Sequence, residues 1–294
     1  MRPTSRMLYA RFAPTPSGFL HVGNALNFIL TWVYARHFKA KLGLRIDDLD
    51  PARCEQKYVD YIFETLAWLG LSWDEEPFSA SEFNGAYSYK FKEERYRKFL
   101  LQVKKNPLAY VCSCSRKELQ TPGFVCTCKT KNLPLTPNES ALKFDIQALE
   151  HEDLFGVDLS KLENPVLWRK EDIPAYQLAS LCDDSSRGEC LLVRGDDLRE
   201  SSALQLLLAK SLNLDGFIKS TFIHHPLIKT SSGQKLSKSR SAKPLDLSAN
   251  PEFLYIKASE ILGIKPCFDA QSLLESFGKN EKSIGFGFKI GEEK

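Results

Sequence analysis

The stretch RFAPTPSGFLHVGN, Arg11 to Asn24, decides the fold. It leaves an apolar run, MLYARF (Met7 to Phe12), that reads as a short buried strand. Gly18 breaks that strand, and an apolar helix is expected from about Asn24 to Phe38. Gly18 and Gly23 then bracket His21 at the turn from strand to helix. Glycine lets the backbone come close to a ligand, and a helix start points N–H groups and a positive dipole end at an anion. An imidazole there can hydrogen-bond phosphate oxygens whose charge grows as a leaving group departs. A capping or core histidine fits the same position, so the residue alone does not choose.

Outward from this turn, LGLRI (Leu42 to Ile46) reads as the next strand. Cys54 to Leu69 is an amphipathic helix ended by Gly70, and a further helix covers about Tyr87 to Lys105. Strands alternating with helices give an α/β class with a parallel sheet covered on both faces. The pattern then changes. Asn106 to Asn164 holds prolines, a cysteine cluster and short strand-like runs such as ALKFDI (Ala141 to Ile146). It reads as an insertion, residues 106–165, between a first half of the sheet domain (1–105) and a second half (166–239). The α/β pattern returns with Val166 to Arg169, Tyr176 to Leu181, Cys190 to Val193, a helix from about Ser201 to Leu212, and Ser220 to His224. The last segment, 240–294, is short and mostly helical, with a helix over Pro251 to Gly263 and a frayed end around Gly285 and Gly287.

A chain of 294 residues, 43% hydrophobic and 26% charged, has the makeup of a soluble globular protein of one large or two ordinary domains. No apolar run approaches the roughly 18 residues that cross a bilayer. The N-terminal MRPTSRMLYARF lacks the apolar core of a signal peptide. The expectation is a cytoplasmic protein with no membrane partner. A net charge of +3 excludes nothing. Basic residues gather at Lys90 to Lys105, Arg116 to Lys131 and Lys229 to Lys243, and acidic ones at Asp47 to Asp50 and Asp74 to Glu76. The basic patches suit a polyanionic partner and equally suit ordinary solvated helix faces. Four of eight cysteines form Cys112-Ser-Cys114 and Cys126-Thr-Cys128. Clustered cysteines in a cytoplasmic chain read as metal ligands before disulfides, and four thiolates suffice for a closed tetrahedral site. Buried thiols on strands are the alternative.

Far downstream, KLSKS (Lys235 to Ser239) sits in the glycine- and serine-rich loop TSSGQKLSKSRSA. A mobile loop of this kind can close over a triphosphate and supply positive charge in the transition state; a basic surface loop is the plainer reading. HVGN followed by KLSKS, in this order and at this separation, resembles the two ATP motifs of the class I aminoacyl-tRNA synthetases. RFAPTPSG and RIDDLDPAR look like the glutamyl branch of that class.

The resemblance covers about residues 7 to 245. It implies a Rossmann-like parallel sheet and a site that binds ATP with Mg2+ and cuts it between the α- and β-phosphates. It assigns ATP contacts to His21, Gly23, Asn24, Asp197, Lys235 and Lys238. Of these, His21, Lys235 and Lys238 would act on the departing pyrophosphate. Asn24 stands where the family usually has histidine, and it keeps a donor. Asp197, in RGDDL after a buried strand, would contact the ATP ribose at the strand ends where open α/β sheets bind ligands. L-Glutamate would be held by Arg11 and Arg194 on its carboxylates and Asp47 on its α-ammonium, with Ala13, Thr15 and Tyr176 completing the pocket. Arginine suits carboxylates because its planar fork binds them in pairs. Where the family usually reads RIED this chain has RIDD, which leaves Asp47 one methylene short. Arg11 also fits a strand-end salt bridge with the Asp47-Asp48 segment.

RGDDL sides with the short tRNA-modifying paralogues of the branch, which tend to read RGADL where ordinary glutamyl enzymes read RAEEW. Their insertion typically begins YxCxC, as in Tyr110 to Cys114. By this resemblance Cys112, Cys114, Cys126 and Cys128 hold one structural Zn2+ with no open ligand position. Only a short segment follows Ser239 in this sequence, so no helical anticodon-binding domain is expected. As a set these features resemble the glutamyl-queuosine tRNA(Asp) synthetases. That family activates glutamate without tRNA and links it to the queuosine base in the anticodon of tRNA(Asp). A monomer is expected. Three other readings stand beside it. One is a truncated glutamyl-tRNA synthetase that charges the tRNA 3′ end. Another is a small-molecule nucleotidyltransferase with a His-x-Gly motif, opposed by Arg11, Tyr176 and Arg194. The last is a non-enzymatic RNA-binding zinc protein, opposed by His21 and Lys238.

Overall fold

The computed structural model describes residues 7–149, 153–227, 243–280 and 287–289. In chain order come β1 (Tyr9–Phe12), α1 (Val22–His37), β2 (Lys41–Leu44) and α2 (Gln56–Trp68), close to the expected positions. A helix over Tyr89–Val103 leads to β3 (Ala109–Cys112), β4 (Ala141–Phe144) and β5 (Val166–Trp168). Then follow a helix over Tyr176–Ser185, β6 (Cys190–Gly195), a helix over Arg199–Ser211 and β7 (Thr221–His225). Helices Glu252–Leu262 and Ala270–Gly278 and the strand β8 (Gly287–Lys289) close the chain. No helix among the described residues is long and apolar enough to cross a membrane.

These elements form two compact units. The first combines Met1–Phe91, Arg187–Arg199 and Lys219–Lys294. Its sheet runs β2-β1-β6-β7-β8, parallel except for β8, which is antiparallel to β7. Ala10, Phe12, Leu42, Leu44, Leu191, Leu192, Val193 and Phe222 are all buried, the near-continuous apolar runs that a sheet covered on both faces requires. Helix α1 is buried almost all round, at Ala25, Leu26 and Phe28 through Ala35. It packs on β1 and β6 and also on the two C-terminal helices. The Phe277 ring meets Tyr34 at 5.2 Å and His37 at 4.9 Å, both edge-on. The sequence reading places no helix at Ala270–Gly278. Its signal is the cap residue Asp269, whose Oδ1 accepts the Ser272 N–H at 2.8 Å, with Leu273 and Phe277 buried behind it.

The second unit combines Lys92–Ser186 and Glu200–Ile218. Its sheet is antiparallel, β3-β4-β5. Val166–Trp168, expected to rejoin the parallel sheet, is instead the third strand here, with Leu142 opposite Trp168. Three apolar-patterned residues carry no mark of which sheet they enter. The choice is made by packing, with Trp168 buried and its Nε1–H donating to Asp172 at 2.9 Å.

What positions a site is the register of the first sheet. β1 pairs with β2 along its whole length. It pairs with β6 only at Tyr9↔Cys190 and Ala10↔Leu191. β6 keeps its pairing with β7 as far as Gly195↔His225. The chain leaves β1 toward β2 on one side and β6 toward β7 on the other. The gap beyond Leu191 is therefore the switch point of the sheet, where open α/β folds bind ligands at the carboxyl ends of their strands.

Candidate active site

His21 is the N-cap of α1. Its backbone N–H donates to Asn24 Oδ1 at 3.0 Å, and its Nδ1 accepts the Gly23 N–H at 3.1 Å. Asn24, the departure from the family's usual histidine, thus closes a reciprocal cap. Because Nδ1 uses its lone pair on Gly23, the neutral ring carries its proton on Nε2. Burial holds His21 below the ordinary imidazole range, opposed by the Asp197 carboxylate. The ring is then a neutral Nε2–H donor at a helix start, suited to a phosphate oxygen. Cap and phosphate ligand are compatible roles, one for each nitrogen. The Gly23 amide, expected to face the ligand, is taken by His21. A Cβ on Gly23 would lie 2.9 Å from His21 Cε1 and 3.1 Å from Nδ1, so the glycine of His-x-Gly is there to make room for the ring.

Across the gap, Gly195 ends β6. A Cβ there would lie 2.7 Å from Asp197 Oδ1 and 2.8 Å from Leu227 Cδ2. Asp196 is engaged by Arg199, whose Nε–H donates to its Oδ1 at 2.8 Å. Asp197 is exposed, and its charge reaches His21 from a distant part of the chain.

Of the residues expected around glutamate, Arg11 and Arg194 are buried on β1 and β6. The Arg194 guanidinium lies over the Phe222 ring at 5.7 Å. Asp47 is buried, and Arg45 forks onto it, Nε to Oδ1 at 2.8 Å and Nη2 to Oδ2 at 3.0 Å. The Asp47 N–H donates to the Pro14 carbonyl at 2.8 Å, which lays this segment beside Pro14 and Thr15. Thr15 is exposed and Ala13 half-buried. Tyr176 opens the helix Tyr176–Ser185 in the second unit and is exposed. Lys235 and Lys238 lie outside the described residues.

The sequence reading left out several polar groups here. Arg45 sits two residues before Asp47 on an extended segment, and that spacing puts both side chains on one face. His224 is buried, with its ring stacked on Phe222 at 6.4 Å. Burial, then the charges of Arg194 and Arg199 and the neighbouring His225, push it down to about 3. The same cations favour an anionic ligand at these strand ends. Asn27 lies on α1, and its Nδ2 is 3.1 Å from His225 Nε2 and 3.4 Å from the Val193 carbonyl.

In the second unit the four cysteines converge. Their Sγ atoms all lie within 4.8 Å of one another. Cys112 and Cys126 are 3.8 Å apart, and Cys114 is 3.6 Å from both Cys126 and Cys128. Disulfide sulfurs would be about 2.05 Å apart. A tetrahedral zinc with Zn–S bonds of about 2.3 Å sets its sulfurs roughly 3.8 Å apart, so these thiols already stand at ligand spacing. β3 delivers Cys112, the cap pair Ser115–Glu118 turns the chain after Cys114, and a short turn at Cys128–Thr130 returns the second pair. Burial raises the Cys112 and Cys114 thiols. Burial works on Cys128 in the same direction, yet the Ser113 amide and the neighbouring thiols bring it down to about 6. Thiolates this close repel unless a cation joins them. Among the described residues the set is all sulfur with no further His, Asp or Glu donor, which fits a closed metal site.

Residues 7–126 match the catalytic-domain model of the class I tRNA synthetases for glutamate and glutamine. The glutamate–tRNA ligase of Legionella pneumophila is 30% identical over 300 residues, a match covering 94% of this chain and 61% of that protein. The glutamyl-Q tRNA(Asp) synthetase of Symbiobacterium thermophilum is 34% identical over 272 residues, covering 81% of this chain and 80% of that one. Among solved structures, the glutamate–tRNA synthetase of Elizabethkingia anophelis shares the fold, with a TM-score of 0.72 at 23% identity over 93% of this chain and 66% of that one. The chain thus spans less than two thirds of the length of the glutamate–tRNA ligases it matches. With the split parallel sheet and the capped His-x-Gly at its switch point, these matches mean that the chain belongs to the class I glutamyl/glutaminyl-tRNA synthetase family.

Proposed function

We propose that the protein activates L-glutamate with ATP and transfers it to the queuosine base in the anticodon of tRNA(Asp). The observation that carries this reading is the likeness, over four fifths of both chains, to a protein named glutamyl-Q tRNA(Asp) synthetase. RGDDL and the YxCxC start of the cysteine cluster accompany it. In the first step a glutamate carboxylate oxygen attacks the α-phosphorus of ATP, and pyrophosphate leaves with the electrons of the broken P–O bond. The work of the chain is positioning and charge stabilisation, with no covalent nucleophile. His21 donates from Nε2 to a phosphate oxygen, Asp197 takes the ribose, and Lys235 and Lys238 neutralise the leaving group. Arg11 and Arg194 hold carboxylates and Asp47 the ammonium, with Ala13, Thr15 and Tyr176 lining the pocket. Mg2+ accompanies ATP as its counterion. Zinc on Cys112, Cys114, Cys126 and Cys128 holds the second unit together and takes no part in the chemistry.

A second reading, transfer to the tRNA 3′ end, is favoured by the ligase relatives at 30% identity. One experiment separates the two. The protein is incubated with ATP, radiolabelled glutamate and queuosine-containing tRNA(Asp), and the charged RNA is cut with nuclease. Label on the anticodon fragment is expected; label on the 3′-terminal nucleoside moves the assignment to the second reading. ATP–pyrophosphate exchange with glutamate and no RNA is expected to proceed.

A further inference from the structure

Three pieces of chain frame the gap at the sheet switch point. They are the start of α1 with His21, the end of β6 with Gly195 and Asp197, and the end of β7 with His225. One side chain joins all three. Asn27 lies on α1, just past the His21 cap. Its Nδ2 is 3.4 Å from the Val193 carbonyl on β6, beyond the last β1–β6 pair, and 3.1 Å from His225 Nε2 on β7. An amide nitrogen has two hydrogens, one for each acceptor. For His225 Nε2 to accept, its proton must sit on Nδ1, which lies 3.1 Å from the Pro226 carbonyl. The bonds therefore run one way, from Asn27 to His225 and from His225 to the backbone of Pro226. Burial keeps His225 below the ordinary imidazole range and so in the neutral form this direction needs. The His225 ring in turn flanks Gly195, with Cε1 3.8 Å from where a Cβ would stand, and Leu227 closes on the same spot at 2.8 Å. Gly195 is the residue opposite His225 in the β6–β7 register.

We propose that Asn27 and His225 are positioning residues that hold the Gly195–Asp197 turn opposite His21. Neither touches the nucleotide; they set the distance between the groups assigned to its phosphates and to its ribose. The assignment rests on the ATP site of the proposed function and is independent of the acceptor. Asn27 is a polar residue on a helix buried almost all round, and its amide bonds both strand ends.

The test is Mg–ATP affinity by calorimetry, with thermal midpoints, on the full chain. Asn27→Ala removes the amide and places a better helix former on α1, so folding is expected to hold. Its ATP dissociation constant is expected to rise about 10-fold, the loss of a hydrogen-bonded clamp, with little change in thermal midpoint. His225→Gln keeps an acceptor near the Nε2 position and is expected to stay close to wild type. His225→Phe fills the volume without the bonds and is expected to lose affinity as Asn27→Ala does. Unchanged ATP affinity in Asn27→Ala overturns the assignment. So does an affinity loss matched by a fall in melting temperature, or a His225→Gln variant no better than His225→Phe. Wild type that binds ATP but fails to exchange pyrophosphate with glutamate defeats the proposed function and leaves this inference standing.

Discussion

The His21 imidazole rests against Gly23. Its Nδ1 accepts the Gly23 N–H at 3.1 Å, and a Cβ on Gly23 would come 2.9 Å from its Cε1. The glycine occupies a helical position, where alanine is the better residue by about 1 kcal/mol. Gly23→Ala should displace the ring and lose its cap bond, a cost that the helix propensity of alanine roughly offsets, so stability should change little. Loss of one phosphate donor is worth about 10²–10³ in rate, and His21→Ala should show that loss. Gly23→Ala should show much of it through a residue with no side chain of its own. ATP–pyrophosphate exchange and thermal melts on both variants check this. A Gly23→Ala protein as active as wild type would mean that the ring position does not matter.

Arg194 is buried at the end of β6 with its guanidinium over Phe222. Arg194→Lys keeps the charge and loses both the planar fork and the stacking. The KM for glutamate is expected to rise about 10-fold or more, since a forked contact becomes a single donor group, with ATP affinity little changed. Equal losses for both ligands would place Arg194 with the nucleotide or the fold.

His224 makes a prediction about acid stability. Its folded-state value is pushed down to about 3 by burial and then by Arg194, Arg199 and His225. An unfolded histidine titrates near 6.5. Above that pH both states are neutral and nothing is lost. Below it the unfolded chain binds a proton that the folded chain refuses, so stability falls by up to about 1.4 kcal/mol per pH unit until the folded value is reached. His224→Gln should flatten the fall in melting temperature between about pH 6.5 and 4. Part of the slope should remain, because burial also depresses His21 and His225. A variant with the wild-type slope would remove His224 from the account.

Some of the candidate site's local geometry has a sequence signal because close approach leaves residue-type traces. Gly23 and Gly195 are glycines since a ring and a carboxylate occupy the space a Cβ would fill. The two Cys-x-Cys pairs could be read as one cluster because paired thiols at short spacing are a common form of metal ligand set. Helix α1 and strands β1, β2, β6 and β7 follow from apolar period. What could not be read is partner choice. Val166–Trp168 has the same pattern whichever sheet it joins. Asp47 is named by its motif, but nothing in RIDD says that Arg45 folds back onto it. Asn27 looks like a polar flaw in an apolar helix until both strand ends are placed beside it.

The cysteine cluster gives the prediction that depends least on the reaction. Four Sγ atoms within 4.8 Å of one another cannot all ionise without a cation, and all four must ionise to close a tetrahedral site. Purified, reduced protein is expected to carry about one zinc per chain by metal analysis. A metal there would tie the end of β3 to the turn at Cys128–Thr130. Chelation should therefore open residues between Cys112 and Cys128 to protease, and ATP affinity should change less. Cys114→Ser should act like the chelator, since Cys114 is the thiol in contact with both Cys126 and Cys128. Because a structural ion bound to folded protein adds its binding energy to stability, the thermal midpoint should rise on returning zinc to chelator-stripped wild type and not to Cys114→Ser. Zinc-free protein that resists protease as well as the metal-loaded form would leave the four residues as buried thiols.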